Sequence, residues 1–176
     1  MPDHITRFSE RQENVMRRLI QARRSLRRGE VSAEAIITSV CTTLETACTD
    51  LLDDLLEAQA AQTDSELERA MIRVQKADMT GSWHSRLKWL SKGFSKNLDK
   101  DVAPKLSAMI ELRNAIAHNG DAFTPRQMAK YADFLSLRQI LELQFDVTIN
   151  GTRFRLGENT GDKVIDVGRQ VAIKLL

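Results

Sequence analysis

Apolar residues recur along this chain at mainly helical spacing. Phe8, Val15, Leu19, Ala22 and Leu26 stand seven, four, three and four residues apart, which makes one stripe on a helix over 4–28. Gly29 ends that helix, and Ser32 is placed to cap the next. The second stripe runs Ile37, Val40, Cys41, Leu44, Cys48, Leu51, Leu52 and Leu55, a central bundle helix to about residue 60. Asp64 or Ser65 caps a third helix, with Leu67, Met71 and Val74 expected to face inward. Thr80-Gly81-Ser82 breaks it. Ser82 then starts a short helix carrying Trp83, Leu87 and Leu90, and residues 91–101 read as a basic loop. Pro104 suits the first turn of a helix through the 110s, since its missing N–H has no helical partner there. That helix should stop near Asn119-Gly120. Thr124-Pro125 signals another, to about Gln144.

The pattern changes after residue 144. FDVTI-NG-TRFRL alternates apolar and polar around Asn150-Gly151, a hairpin with an expected type I′ turn. Asp162 to Leu176 reads as a helix with Val164, Val167 or Gly168, Val171 and Leu175 inward; a third strand through Val171-Ala172-Ile173 is the alternative. The expected fold class is mainly all-α. A helical bundle spans 1–144, and a small β-hairpin with a helix or strand over 145–176 packs on the same domain.

Composition narrows the class. The 176 residues suit one domain with its own core, and a charged fraction of 28% speaks against global disorder. No apolar run approaches the roughly 20 residues of a bilayer span, and the first residues carry no apolar signal stretch. A cytoplasmic protein, off the membrane, is expected. Cys41 and Cys48 lie two helical turns apart, too far for a disulfide, and read as small core residues. His4, His84 and His118 have no partners at metal-ligand spacing, and no phosphate-binding glycine loop is present, so no metal and no cofactor is expected.

The net charge of +2 hides a strong segregation. Residues 1–28 hold eight Arg against three acids. Residues 29–68 hold ten acids and no Lys or Arg. Residues 69–176 hold eighteen basic and eleven acidic residues, which leaves room for a local phosphate-attracting surface. Trp83, His84, Arg86, Lys88 and Trp89 interleave aromatic and basic groups. Lys88, Lys92 and Lys96 are candidate RNA contacts there, although tryptophans filling the core would produce the same pattern.

The helix around residue 110 carries the candidate chemistry. Its apolar stripe of Val102, Leu106, Met109 and Ile110 continues through Arg113 to Ile116 and Ala117. A guanidinium on a core-facing stripe must find a carboxylate or meet an anion. Ser107, Glu111, Asn114 and His118 follow at steps of four, three and four, so they line one face. Glu111 or Asn114 is placed to orient the His118 ring. Arg113 and His118 stand five residues apart, about 140° around a regular helix. A helix end, a bulge or a site shared by two chains would be needed to bring them together.

Leu112-Arg113-Asn114-Ala115-Ile116-Ala117-His118-Asn119 resembles the Arg-Asn-x-x-x-His signature of HEPN domains, and the helical layout over 4–144 resembles that family in outline. The resemblance implies a dimeric helical bundle of the kind found in bacterial toxin–antitoxin and antiviral defence systems. It implies a metal-independent endoribonuclease that leaves 2′,3′-cyclic phosphate and 5′-OH ends on RNA, tRNA among the targets. His118 would be general acid or base, Arg113 would hold phosphate and Asn114 would position either; Glu111 and Asn119 would support them. A homodimer with a composite site and an antitoxin or defence partner are the implied associations. The alternative is a catalytically inactive HEPN-type module that dimerises or binds a nucleotide or protein. One departure is clear: family toxins paired with nucleotidyltransferase antitoxins often carry Tyr two residues after the His, where this chain has Gly120.

Overall fold

The structure, a computed structural model, describes residues 4–176, with side chains from Glu10 onward. Phe8, the first residue of the expected α1 stripe, has its side chain outside the described residues. The chain is mainly α-helical with one two-stranded antiparallel sheet: α1 His4–Arg27, α2 Ala33–Gln62, α3 Glu66–Thr80, α4 Trp83–Lys88, a π-helical turn Trp89–Gly93, α5 Ala103–Asn119, α6 Pro125–Met128, α7 Tyr131–Phe145, β1 Val147–Asn150, β2 Arg153–Leu156 and α8 Thr160–Leu175.

Local chemistry sets most boundaries. Gly29 takes a positive φ after α1, and the Ser32, Ser65 and Ser82 hydroxyls each accept a backbone N–H in the first turn of α2, α3 and α4. α2 is the central helix, burying Ile37, Val40, Cys41, Leu44, Cys48, Leu51 and Leu52. By length and composition alone α2 could cross a bilayer; in the fold its apolar face is the bundle core. Both cysteines are free and buried there.

α8 is a helix, not a strand, and it packs on α1 and α2 with Val164, Val167, Gly168, Val171 and Leu175 all buried. Gly168 permits the close approach. A Cβ there would lie 2.9 Å from Val40 Cγ1 and 3.4 Å from a Leu19 methyl. Arg23 of α1 reaches across to Asp162 (2.9 Å) and Asp166 (2.7 Å) of α8, while Arg11 pairs with Asp54 of α2 at 2.6 Å. The basic first helix is thus matched by acids on both α2 and α8.

Four expectations change. Leu67, Met71 and Val74 of α3 point to solvent; on the other side Met79 is buried and Ile72 half-buried. The helix expected from Pro125 to Gln144 breaks after one turn: Lys130 is extended (φ −112°, ψ 104°), and the redirected chain sets Phe134 edge-on to Phe123 at 5.3 Å. The basic loop over 91–101 begins as the π-helical turn, where Gly93 lies against the Trp89 ring. The hairpin register pairs Asn150 with Arg153, so Gly151-Thr152 forms the two-residue loop. Only Gly151 (φ 59°) has positive φ, as in a type II′ turn, instead of the I′ turn centred on Asn150-Gly151.

Candidate active site on α5

α5 is an uninterrupted α-helix. Pro104 lies in its first turn and Gly120 (φ 69°) follows its last residue. It buries Leu106, Ala108, Met109, Ile110, Leu112 and Ala115, so its first three turns are enclosed on more than one side. The last turn emerges into solvent: Ala117, His118 and Asn119 are exposed, against the expectation that Ala117 continues the buried stripe.

Arg113 sits where the buried and exposed parts meet. It is half-buried, and its Nη1 donates to Asn114 Oδ1 at 3.2 Å. Among the described residues no carboxylate pairs with it. The candidate partners are engaged elsewhere: Glu45 of α2 binds the buried Arg86 at 3.0 Å, and Arg86 Nε also donates to Thr49 Oγ1 at 2.8 Å. The Arg113 charge is nonetheless felt on α2. Burial pushes the Cys41 thiol up to about 12, and the guanidinium works against that rise while Glu45 adds to it.

Glu111 does not orient His118. Gln127 holds it, donating from Nε2 to the Glu111 carbonyl and to Oε2, both at 2.7 Å. The same Gln127 amide oxygen accepts from Thr124 N at 2.9 Å and completes the capping box of α6. Gln127 is the organising residue that the sequence reading missed. Its signal was present, since Thr124-x-x-Gln127 is a capping-box pattern. The His118 side chain makes no hydrogen bond or ion pair among the described residues, so neither Glu111 nor Asn114 fixes its ring. Asn119 is likewise exposed at the helix end.

Two grooves flank the polar face of α5. One, of about 560 Å³, lies between α5 and the α4–π-turn segment, lined by Trp83, His84, Lys88 and Lys92 opposite Ser107, Ile110 and Glu111. The other, of about 400 Å³, lies toward α6 and α7 and includes Arg126, Leu137 and Ile140. Helical spacing carries the Ser107–Glu111 line on to Asn114 and His118. Lys88 and Lys92 share their groove with the Ser107–Glu111 part of this face, while Arg113, Asn114 and His118 do not line it. Lys96 lies beyond the π-turn, its backbone N–H bonded to the Leu90 carbonyl, and does not line the groove.

The arrangement brings together Arg113 with Asn114, Glu111 with Gln127, and Lys88 with Lys92. It does not bring Arg113 to His118 within one chain, because α5 has no bulge between them and the angle of about 140° persists. No family model, curated protein or solved structure matches the chain.

Proposed function

We propose that this chain is a metal-independent endoribonuclease of HEPN type, acting in the cytoplasm as a toxin or defence effector. The observation that carries the reading is a half-buried guanidinium, Arg113, with no carboxylate partner among the described residues. It is bonded to Asn114 and lies five residues before an exposed His118. A partly desolvated cation without a counter-ion favours an anion, and a phosphodiester supplies one. Lys88 and Lys92 add positive charge to the neighbouring groove.

The divergence of Arg113 and His118 on a regular helix supports a composite site in which two copies of α5 face each other across a dyad. In that site one His118 takes the proton of a ribose 2′-OH. The oxygen attacks the adjacent phosphorus, the P–O5′ bond breaks, and the second His118 returns a proton to O5′. The products carry a 2′,3′-cyclic phosphate and a 5′-OH. Arg113 holds the non-bridging oxygens and stabilises the charge that grows on them, and Asn114 keeps the guanidinium in place.

The test is cleavage of RNA, tRNA included, by purified protein in EDTA with end-group analysis. Wild type is expected to cut and leave cyclic phosphate. His118→Ala and Arg113→Ala are each expected to cut about 10²-fold more slowly or worse. Equal nicking by wild type and both variants would identify a contaminant and sink the reading. A second reading, a non-catalytic HEPN-type module, draws on the His118 ring being held by no neighbour. RNA binding that depends on Arg113 but is followed by no cleavage would select it.

A further inference from the structure

The outer face of α3 presents Leu67, Met71 and Val74 at 70%, 51% and 79% exposure, with the exposed Ala70 and Ala77 beside them. Five apolar residues thus line one side of a fifteen-residue helix whose opposite side is already satisfied. Ile72 and Met79 pack inward, and Lys76 reaches Asp53 of α2 at 3.0 Å. Such a clustered apolar face, which runs from Leu67 to Val74 before the exposed Asp78 ends the stripe, marks a contact surface, unlike scattered surface leucines.

The charges beside it indicate what covers it. At 100° per residue, Glu68 and Gln75 flank the stripe on one side, and Glu66 and Arg73 flank it on the other. When two identical helices pair antiparallel about a two-fold axis, like flanks meet. Glu66 then faces Arg73 of the other copy, twice, and Glu68 faces Gln75. The same alignment sets Leu67 against Val74 and brings the two Met71 side chains near the axis. A parallel pair would instead bring Glu66 beside Glu68. We infer that α3 is a self-association surface, on which the α3 helices of two copies of this chain pack antiparallel about an axis near Ala70–Met71.

The Glu66–Arg69 pair within α3 (3.3 Å) is surface-exposed and costs little to share. One helix pair is small against the roughly 1,200–2,000 Å² of a stable interface, so alone it is a weak, reversible contact. The inference does not depend on the ribonuclease reading. If the α5 dimer also forms, two unlike two-fold contacts build a closed tetramer or an open chain.

Sedimentation velocity of the full chain over a concentration series tests it. Wild type is expected to associate reversibly. Arg73→Glu sets carboxylates against each other and should weaken that step about tenfold or more. Glu66→Arg with Arg73→Glu restores opposite charges and should recover it; both sites are exposed, so the fold is spared. Mild oxidation should cross-link Met71→Cys but not Leu67→Cys, whose α-carbons would sit about 10 Å apart along an antiparallel pair. Failure of wild type to associate by this step, indifference to Arg73→Glu, or no recovery in the double variant would each overturn the inference. The first outcome would indicate a different protein as the partner. Equal cross-linking of both cysteine variants would overturn the antiparallel geometry.

Discussion

Gln127→Ala removes one amide that serves two elements. In the folded chain that amide donates twice to Glu111 and accepts from the Thr124 N–H and hydroxyl, at 2.7 to 3.1 Å. A neutral hydrogen bond contributes about 0.5–1.5 kcal/mol net, and one to a carboxylate about 1.5–3. The group is only partly buried, so water replaces some of what is lost. Roughly 2–3 kcal/mol of destabilisation is expected, a fall in Tm of about 5–10 °C for a chain of this size. Urea unfolding measures it directly, and a double-mutant cycle with Glu111→Gln isolates the Glu111–Gln127 coupling. Gln127→Glu sharpens the test. It preserves the acceptor of the capping box but puts a second carboxylate beside Glu111. Like charge raises the carboxyl pKa in the folded state above its unfolded value, so this variant is weakest at neutral pH. It should recover stability as pH falls through the raised value. A change below about 0.5 kcal/mol in Gln127→Ala, within the range of ordinary surface substitutions, would refute the claim that this amide anchors α6 to α5.

Three further outcomes follow from the packing. Gly157→Ala places a methyl 2.5 Å from the Asp146 carbonyl oxygen, which already accepts from Gly157 N and Thr160 Oγ1. A cost of about 2–4 kcal/mol is expected by thermal melting, since the methyl also meets the Asp146 carboxylate and the backbone part of the clash cannot swing away. Asp146 is held below the usual carboxylate range, first by the backbone N–H of Asn159. Its contribution is present above its unfolded pKa and lost as pH falls through the lower folded value, so Asp146→Ala should flatten the acid limb of a stability–pH curve. Cys41 and Cys48, with thiols pushed up to about 12 mainly by burial, should resist a thiol reagent at pH 8 in the folded protein. Both should react at once in denaturant, as followed by absorbance.

Much of this architecture is legible residue by residue. Ser32, Ser82, Gly29 and Gly120 mark helix ends through local chemistry, because a cap bond or a positive φ involves only neighbours in sequence. The α2 and α8 stripes are long enough that only one face can be buried. The signature on α5 was legible as a string, and so was the divergence of its Arg and His, because both follow from helical geometry alone.

Other features depend on what each helix meets. Periodicity shows that Leu67, Met71 and Val74 share a face but not which way that face turns; α3 carries apolar residues on both sides, and in the fold Met79 is the buried one and Ile72 the half-buried one. The break at Lys130 sets Phe134 against Phe123, eleven residues earlier, a contact that neither helical nor strand periodicity encodes. The partners of Arg113 were decided in the same way. Sequence alone established a cation on a largely apolar helix, whose burial demands an anion. Only the tertiary structure decided that Glu45 is taken by Arg86 and Glu111 by Gln127, since carboxylates are allotted by distance in space, and that allotment leaves the Arg113 charge unmatched.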